Sequence, residues 1–481
     1  MEVYLTSENT IVITDGDNHS LTFAPRATTT SSSPSKGHEA DKKYRLAPGP
    51  GWKAEQGDGG SATTISLGTC QAVIGRFSDS KLILIRESDV VAHVPGIRGS
   101  EDPVFRINKI SVIDPLTAGT DVSLLTDNLL DLDLNPFDPT AAGDTGGGDI
   151  VDGNIPSSPS HQQAKQMMKK TWHQIKSAPG QLRSSMLSPS GASSSQPSHV
   201  SSSAGSVSPS HSFAQENRER QAALVRDRRI TDQLMKLFND SHSFYYCPTG
   251  DLTNTMQRKY QSQEKDQQGS PSGIRGEWRN LDDRFFWNKF MLSDLLEWDP
   301  VDQADHWITP IMQGYVQCEV CPLTDSFVPR EGQDSSIGNL MQPVMLLISR
   351  RSRHMAGTRY KRRGIDSSGQ CANYVETEQL FKYDKHVVSF TQVRGSIPVF
   401  WSQVGHSYRP PPKIDRPENE TQPAFNLHFD QQLATYSKQV IVNLIEASGR
   451  ESVLGHAYLN HILNYDSPDI TYVSFDFHEY W

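Results

Sequence analysis

The sequence predicts an α+β protein whose β-rich N-terminal unit is followed by an α/β unit. Three observations carry this prediction. Short runs with apolar residues two apart dominate the chain through residue 113. Helical spacing of apolar residues is clear only after residue 212, and beyond residue 300 strand-like and helical pieces mix. Only 35% of residues are apolar and the mean hydropathy is −0.55, so part of the chain is expected to stay out of the core.

Val3 and Leu5, Ile11 and Ile13, and Leu21 and Phe23 alternate as half-buried strands do, and Asp15-Gly16-Asp17-Asn18 supplies a turn. Residues 27–60, rich in Ser, Thr, Pro and Gly, read as a loop insertion. Strand-like runs resume at 70–74, 81–85, 90–94 and 109–113, so residues 1–134 form the first part of the N-terminal unit. Residues 135–212 are a Ser/Pro/Gly-rich insertion, with 14 serines in the 30 residues 181–210. Such a segment buries too little apolar surface to offset its chain entropy, which predicts disorder, with a short helix at 167–177. It reads as a spacer or as a regulatory segment that recruits protein partners.

Next, Leu224, Ile230, Leu234, Leu237 and Phe238 recur at helical spacing, with Ser210 or Ser212 as N-cap and an end near Asn239 and Asp240. Residues 213–300 complete the N-terminal unit. Residues 301–481 make the α/β unit, with apolar runs at 308–316, 344–348, 387–390 and 440–445 and a last strand at 472–477.

A net charge of −10 argues against a general nucleic-acid binder. No segment approaches the ~18 consecutive apolar residues of a membrane span. Met1-Glu2-Val3-Tyr4 lacks the basic and apolar regions of a secretory signal. Five cysteines without dense spacing fit a reducing compartment. A cytoplasmic protein with only peripheral membrane contact is therefore expected.

The charge is unevenly spread. Between Val344 and Trp401, ten Lys/Arg stand against four Asp/Glu, and seven Lys/Arg with no acid fill residues 350–363. Like charges this close repel unless an anion or an acidic surface neutralises them, and guanidinium forks suit phosphate oxygens. The block follows an apolar strand candidate, which places it at a strand end, where pockets of α/β sheets form. From charge alone it reads equally as an anion site, a solvated basic loop or a nuclear-import-like run.

The run from Leu347 to Gly364, then Asn373-Tyr374-Val375-Glu376-Thr377-Glu378-Gln379, then the run from Ser389 to Gln403, resembles the Sac-domain phosphoinositide phosphatases. So do Phe244-Tyr245-Tyr246 with Asp251-Leu252-Thr253, Arg284-Phe285-Phe286-Trp287-Asn288-Lys289, and Tyr472-Val473-Ser474-Phe475-Asp476-Phe477-His478. These motifs cover about residues 215–479 in the family's order. Val404-Gly405-His406 and the run from Asp415 to Thr421 resemble the endosomal inositol 4-phosphatase branch.

The resemblance implies a β-rich Sac subdomain followed by the first part of a cysteine-phosphatase-like catalytic subdomain. It implies action on phosphatidylinositol monophosphates, phosphatidylinositol 4-phosphate first, through a phosphocysteine and without metal or cofactor. It also implies peripheral contact with phosphoinositide headgroups on endosomal or Golgi-type membranes. Arg359, Lys361, Arg362, Arg363 and Arg394 are then the expected headgroup-binding residues.

The family's nucleophile sits in a Cys-x5-Arg loop whose backbone N–H groups and arginine wrap the phosphate. Only Cys70, with Arg76, has that spacing here. Its intervening residues are apolar and strand-like, and Phe77 stands where the family carries Thr or Ser, so a structural cysteine is expected. The family's loop falls beyond His478, so residues 1–481 are expected to lack the catalytic cysteine and to be inactive by themselves. The alternative function is a truncated module that binds headgroups or protein partners without turnover. Cys318-Glu319-Val320-Cys321 has zinc-knuckle spacing but no second pair, His428 and His478 read as core or edge positions, and Glu376 and Glu378 either orient the arginines or pair on the surface.

Overall fold

The computed structural model describes residues 1–16, 19–25, 44–50, 64–78, 80–96, 99–118, 209–266, 277–298, 304–321, 342–358, 362–403, 410–446 and 448–476. Two units divide the chain, Met1–Leu130 with Gln221–Trp481, and Asp131–Arg220. The insertion expected at 135–212, with the helix expected at 167–177, lies outside the described residues up to residue 208.

Alternation builds the first sheet. Strands β1 (Glu2–Thr6), β2 (Ile11–Thr14), β3 (His19–Pro25), β4 (Tyr44–Pro50) and β5 (Thr64–Thr69) pair antiparallel in the order β4-β3-β2-β1-β5. Val3, Leu5, Ile11, Ile13, Leu21 and Phe23 are all buried in one core. The loop expected over 27–60 needs correction, because it contains β4. Tyr44 and Leu46 sit two apart and complete that core, while Pro48 and Pro50 are tolerated because β4 is an edge strand.

The second sheet has eight strands in the order β13-β12-β11-β10-β9-β8-β7-β6. They are β6 (Ala72–Phe77), β7 (Lys81–Pro95), β8 (Glu101–Ile113), β9 (Phe244–Tyr246), β10 (Ile311–Val320), β11 (Val344–Arg351), β12 (Val375–Tyr383) and β13 (His386–Arg394). All neighbours pair antiparallel. The runs at 81–85 and 90–94 belong to one strand, β7, whose register shifts against β8 bend it without ending it. This sheet takes strands from both sides of residue 301, and β10 to β13 continue the antiparallel order.

Helix α1 (Pro209–Ser241) starts at a proline, a residue already set for the first helical turn, ahead of the serines expected to cap it. Near its end Phe238 stacks on Phe244 at 3.9 Å, and both meet the edge of Trp287. Helix α2 (Met256–Asp266) follows β9.

Alternating α/β structure begins only near the C-terminus. A two-strand ladder of β14 (Trp401–Ser402) and β15 (Lys413–Ile414) leads into helix α3 (Glu418–Tyr436). Strands β16 (Gln439–Asn443) and β17 (Ile470–Ser474) pair in parallel across helix α4 (Ser452–Tyr465), the crossover that parallel strands require. Val399, Trp401, Phe425, Phe429, Leu454 and Tyr458 form the core beneath them. The other face of the parallel pair is open, with Val440 and Val442 exposed.

Candidate functional site

The basic block begins on β11, where Leu346, Ile348 and Arg350 share the buried face. Arg350 is 1% exposed, so its guanidinium must find acceptors inside the protein. The β11–β12 register supplies them by placing Glu376 opposite Arg350 and Glu378 opposite Ile348. Nη1 donates to Glu376 at 3.0 Å and Nη2 to Glu378 at 2.6 Å. Nε donates to the Leu252 carbonyl at 2.6 Å and Nη2 also to that of Asn254 at 3.1 Å. Glu378 further accepts from the Met256 amide and the Ser389 hydroxyl, each at 2.7 Å. Burial alone would push the Glu378 carboxyl up, but Arg350 and these donors hold it below the usual carboxylate range. Glu376 and Glu378 therefore orient Arg350, the first arginine of the cluster, inside the protein and do not pair on the surface.

Arg353 is also engaged. Its Nη2 meets Asp283 at 2.6 Å and its Nε the Asp283 carbonyl at 2.8 Å, while Lys289 reaches the same carboxylate at 2.6 Å. Burial would raise the Asp283 carboxyl, yet Lys289 and Arg353 bring it down to about 2. Arg351 donates to the Gly357 carbonyl at 2.7 Å. These three cations hold the segment in place.

Arg362 and Arg394 are exposed, Arg394 at the end of β13. Among the described residues neither has a carboxylate within ion-pair distance. The Arg363 guanidinium lies over the Trp401 ring, 5.1 Å from its centroid. Gly364 brings the two segments together, donating its N–H to the Ser396 hydroxyl at 2.8 Å. Its φ is +74°, and a Cβ there would lie 2.4 Å from the Val399 carbonyl oxygen, so no other residue fits. Arg359 and Lys361 lie outside the described residues.

Charge runs alone did not reveal a polar cluster behind this turn. Arg284 binds Asp282 through Nη2 at 2.7 Å and reaches the Tyr374 hydroxyl at 3.2 Å. Tyr374 donates to Gln432 at 2.8 Å, and Tyr436 donates to Glu376. Burial would raise Asp282, but Arg284 and Arg258 hold it low; burial pushes the Tyr374 hydroxyl up to about 12. The signal was present, since Arg284 heads the Arg-Phe-Phe-Trp-Asn-Lys motif directly after two aspartates.

Beside Arg284 is a cavity of about 30 Å³, lined in part by Cys371, Tyr374 and His428. His428 Nδ1 donates to the Gly369 carbonyl at 2.9 Å, which leaves the Nε2 lone pair facing the Cys371 sulfur at 3.8 Å. This resembles a nucleophile with its base, but the surroundings oppose it. Burial keeps the thiol well above its ordinary value and brings His428 down to about 4, so both stay neutral.

Cys70 fares no better. It is buried in the first core, and burial raises its thiol to about 11. The following residues form strand β6 instead of a phosphate loop, and Arg76 is held by Asp294 at 2.8 Å. Burial likewise raises Cys247 and Cys318. Cys318 lies on β10, paired with Leu346, and Cys321 follows that strand.

Residues 67–481 match the SacI homology domain. Phosphatidylinositide phosphatase SAC2 of Danio rerio is 38% identical over 431 residues, which cover 86% of this chain and 33% of that protein. Phosphatidylinositide phosphatase SAC2 of Mus musculus is 50% identical over 264 residues, 53% of this chain and 22% of that protein. Phosphatidylinositol-3-phosphatase SAC1 of Saccharomyces cerevisiae is 34% identical over 254 residues, 51% of this chain and 36% of that protein. The chain thus spans between 22% and 36% of the lengths of these curated relatives. With a match over residues 67–481, the chain belongs to the SacI homology domain family.

Proposed function

We propose that the turn after β11, together with the end of β13, is the headgroup-binding wall of a phosphoinositide phosphatase. One observation carries the reading. Arg362 and Arg394 are exposed without a carboxylate partner among the described residues, on two segments tied together by the Gly364–Ser396 hydrogen bond. Each exposed guanidinium on these two segments can bind phosphate oxygens bidentately. Arg359 and Lys361 extend the wall on the sequence reading, and Arg363 contributes charge from its place over Trp401.

The substrate class is phosphatidylinositol monophosphates, with phosphatidylinositol 4-phosphate first, presented on endosomal or Golgi-type membranes. The similarity to phosphatidylinositide phosphatases supports the class, and the identities to the two SAC2 proteins support the branch. Among the described residues no helix is long and apolar enough to cross a membrane.

A second reading concerns residues 1–481 taken alone, as a module that binds headgroups without turning them over. It is favoured by the four cysteines whose thiols burial holds protonated, Cys70, Cys247, Cys318 and Cys371.

Phosphate release from phosphatidylinositol 4-phosphate vesicles tests the second reading. Residues 1–481 should release none above background, and release abolished by Cys70→Ser would contradict it. For the wall, Arg362→Ala and Arg394→Ala should each weaken binding to such vesicles about fivefold at low salt, from ~1 kcal/mol per surface cation, and less at high salt. Unchanged binding would return the block to a solvated loop.

A further inference from the structure

Asp15 just after β2, His19 at the start of β3 and His306 in the short 3-10 segment Ala304–Trp307 come together as three side chains that the basic block does not use. His306 Nε2 contacts Asp15 Oδ2, and His19 Nδ1 lies 3.3 Å from the same oxygen. The two imidazoles stack with centroids 4.9 Å apart and an interplanar angle of 24°. One ligand atom from each of the three residues lies within 4.8 Å of the others.

We propose that Asp15, His19 and His306 form a binding site for a divalent transition-metal cation of the zinc class. Two imidazole nitrogens and one carboxylate oxygen are a borderline donor set, suited to zinc, cobalt or nickel and poorly suited to magnesium or calcium. At bond lengths of 2.0–2.1 Å, the donors of a tetrahedral ion lie roughly 3.3 Å apart, which is the separation of His19 from Asp15. Two imidazole nitrogens converge on one carboxylate oxygen, the arrangement in which a single cation can take a bond from each of the three residues.

The histidine side chains are 23% and 21% exposed, which leaves a path for the ion and room for water as fourth ligand. Asp15 follows β2 and His19 opens β3 of the five-stranded sheet, whereas His306 comes just before β10 of the eight-stranded one. The ion would therefore fasten two chain segments that no covalent bond joins. Their distance in sequence explains why no spacing motif marks the site.

The test is cobalt(II) titration of the full 481-residue chain after treatment with EDTA. One cobalt per chain is expected, with the visible absorption of a four- or five-coordinate ion, and with displacement by zinc. His19→Gln and His306→Gln should each weaken uptake at least tenfold, while Cys318→Ser with Cys321→Ser should leave it unchanged. Should a histidine variant fail to fold, paramagnetic shifts of two histidine rings in the unaltered protein report the same ligation. No uptake, uptake insensitive to both histidine changes, or a thiolate-to-cobalt charge-transfer band would overturn the site. In the first case the three residues are a proton-bridged clip.

Discussion

Burial at single residues divides the arginine run into two jobs. Arg350, Arg351 and Arg353 hold the segment, whereas Arg362 and Arg394 are exposed, with no carboxylate at ion-pair distance among the described residues. The sequence showed the density of charge, and part of this division was also legible in it. Arg350 stands two residues after Ile348 and four after Leu346, on the side of the strand that faces the core. Its partners were not legible, because Glu376 and Glu378 meet it only through the β11–β12 register. Removing one partner of such a buried set leaves uncompensated charge, so Arg350→Ala should cost about 3–5 kcal/mol of stability, read by urea denaturation. Replacing Arg350, Glu376 and Glu378 together with Met, Gln and Gln should cost less than the single change.

Acid should act on the fold in two windows. His428, ordinarily near 6.5, is brought down to about 4 by burial, with Arg284 adding to the effect. The unfolded chain takes up its proton first, so stability is complete above about 6.5 and falls between there and about 4, by roughly 3 kcal/mol. His461 is lowered by burial and acts in the same direction. The carboxylates follow below that. Asp283, held at about 2, contributes stability that is present above the ordinary carboxylate range and is lost as pH falls through it toward 2. The urea midpoint should thus drop between pH 6.5 and 4, and His428→Asn should flatten that drop. An unchanged slope would show that His428 is protonated in the folded protein.

At the scale of elements, alternation and helical spacing located most strands and the long helix. Where they failed, the reason is physical. β4 is hidden in a Pro- and Gly-rich edge, and β7 reads as two runs because its register irregularities interrupt the alternation. The motif Arg284 to Lys289, which the resemblance picks out, has a mechanical role in the structure. Phe285 and Phe286 are buried, Trp287 packs on Phe238 and Phe244, and Asn288 ties three elements together. Asn288 donates to the carbonyls of Ile74 at 2.8 Å and Thr309 at 3.0 Å and accepts from the Ile311 amide at 2.8 Å. Asn288→Ala leaves all three groups wanting, at ~1–3 kcal/mol each, so a loss of about 3 kcal/mol or more is expected in thermal or urea unfolding. Gly75 is its neighbour in this joint. Its φ is +136°, and a Cβ would lie 2.5 Å from the Met291 carbonyl oxygen, so Gly75→Ala should destabilise the joint as well.

At the scale of the whole molecule, the proposed function has the turn at the end of β11 present cations to a phosphorylated headgroup. The net charge of −10 works against membrane adsorption in general, so the proposed binding to an anionic surface calls for a local basic patch such as that turn. The most direct measurement is co-sedimentation of the 481-residue chain with vesicles containing phosphatidylinositol 4-phosphate, compared at matched charge with phosphatidylserine vesicles. Preferential binding to the phosphoinositide vesicles, lost when Arg362, Arg363 and Arg394 are changed together to Ala, is the predicted result. Equal binding of the triple variant and the unaltered chain would contradict the account.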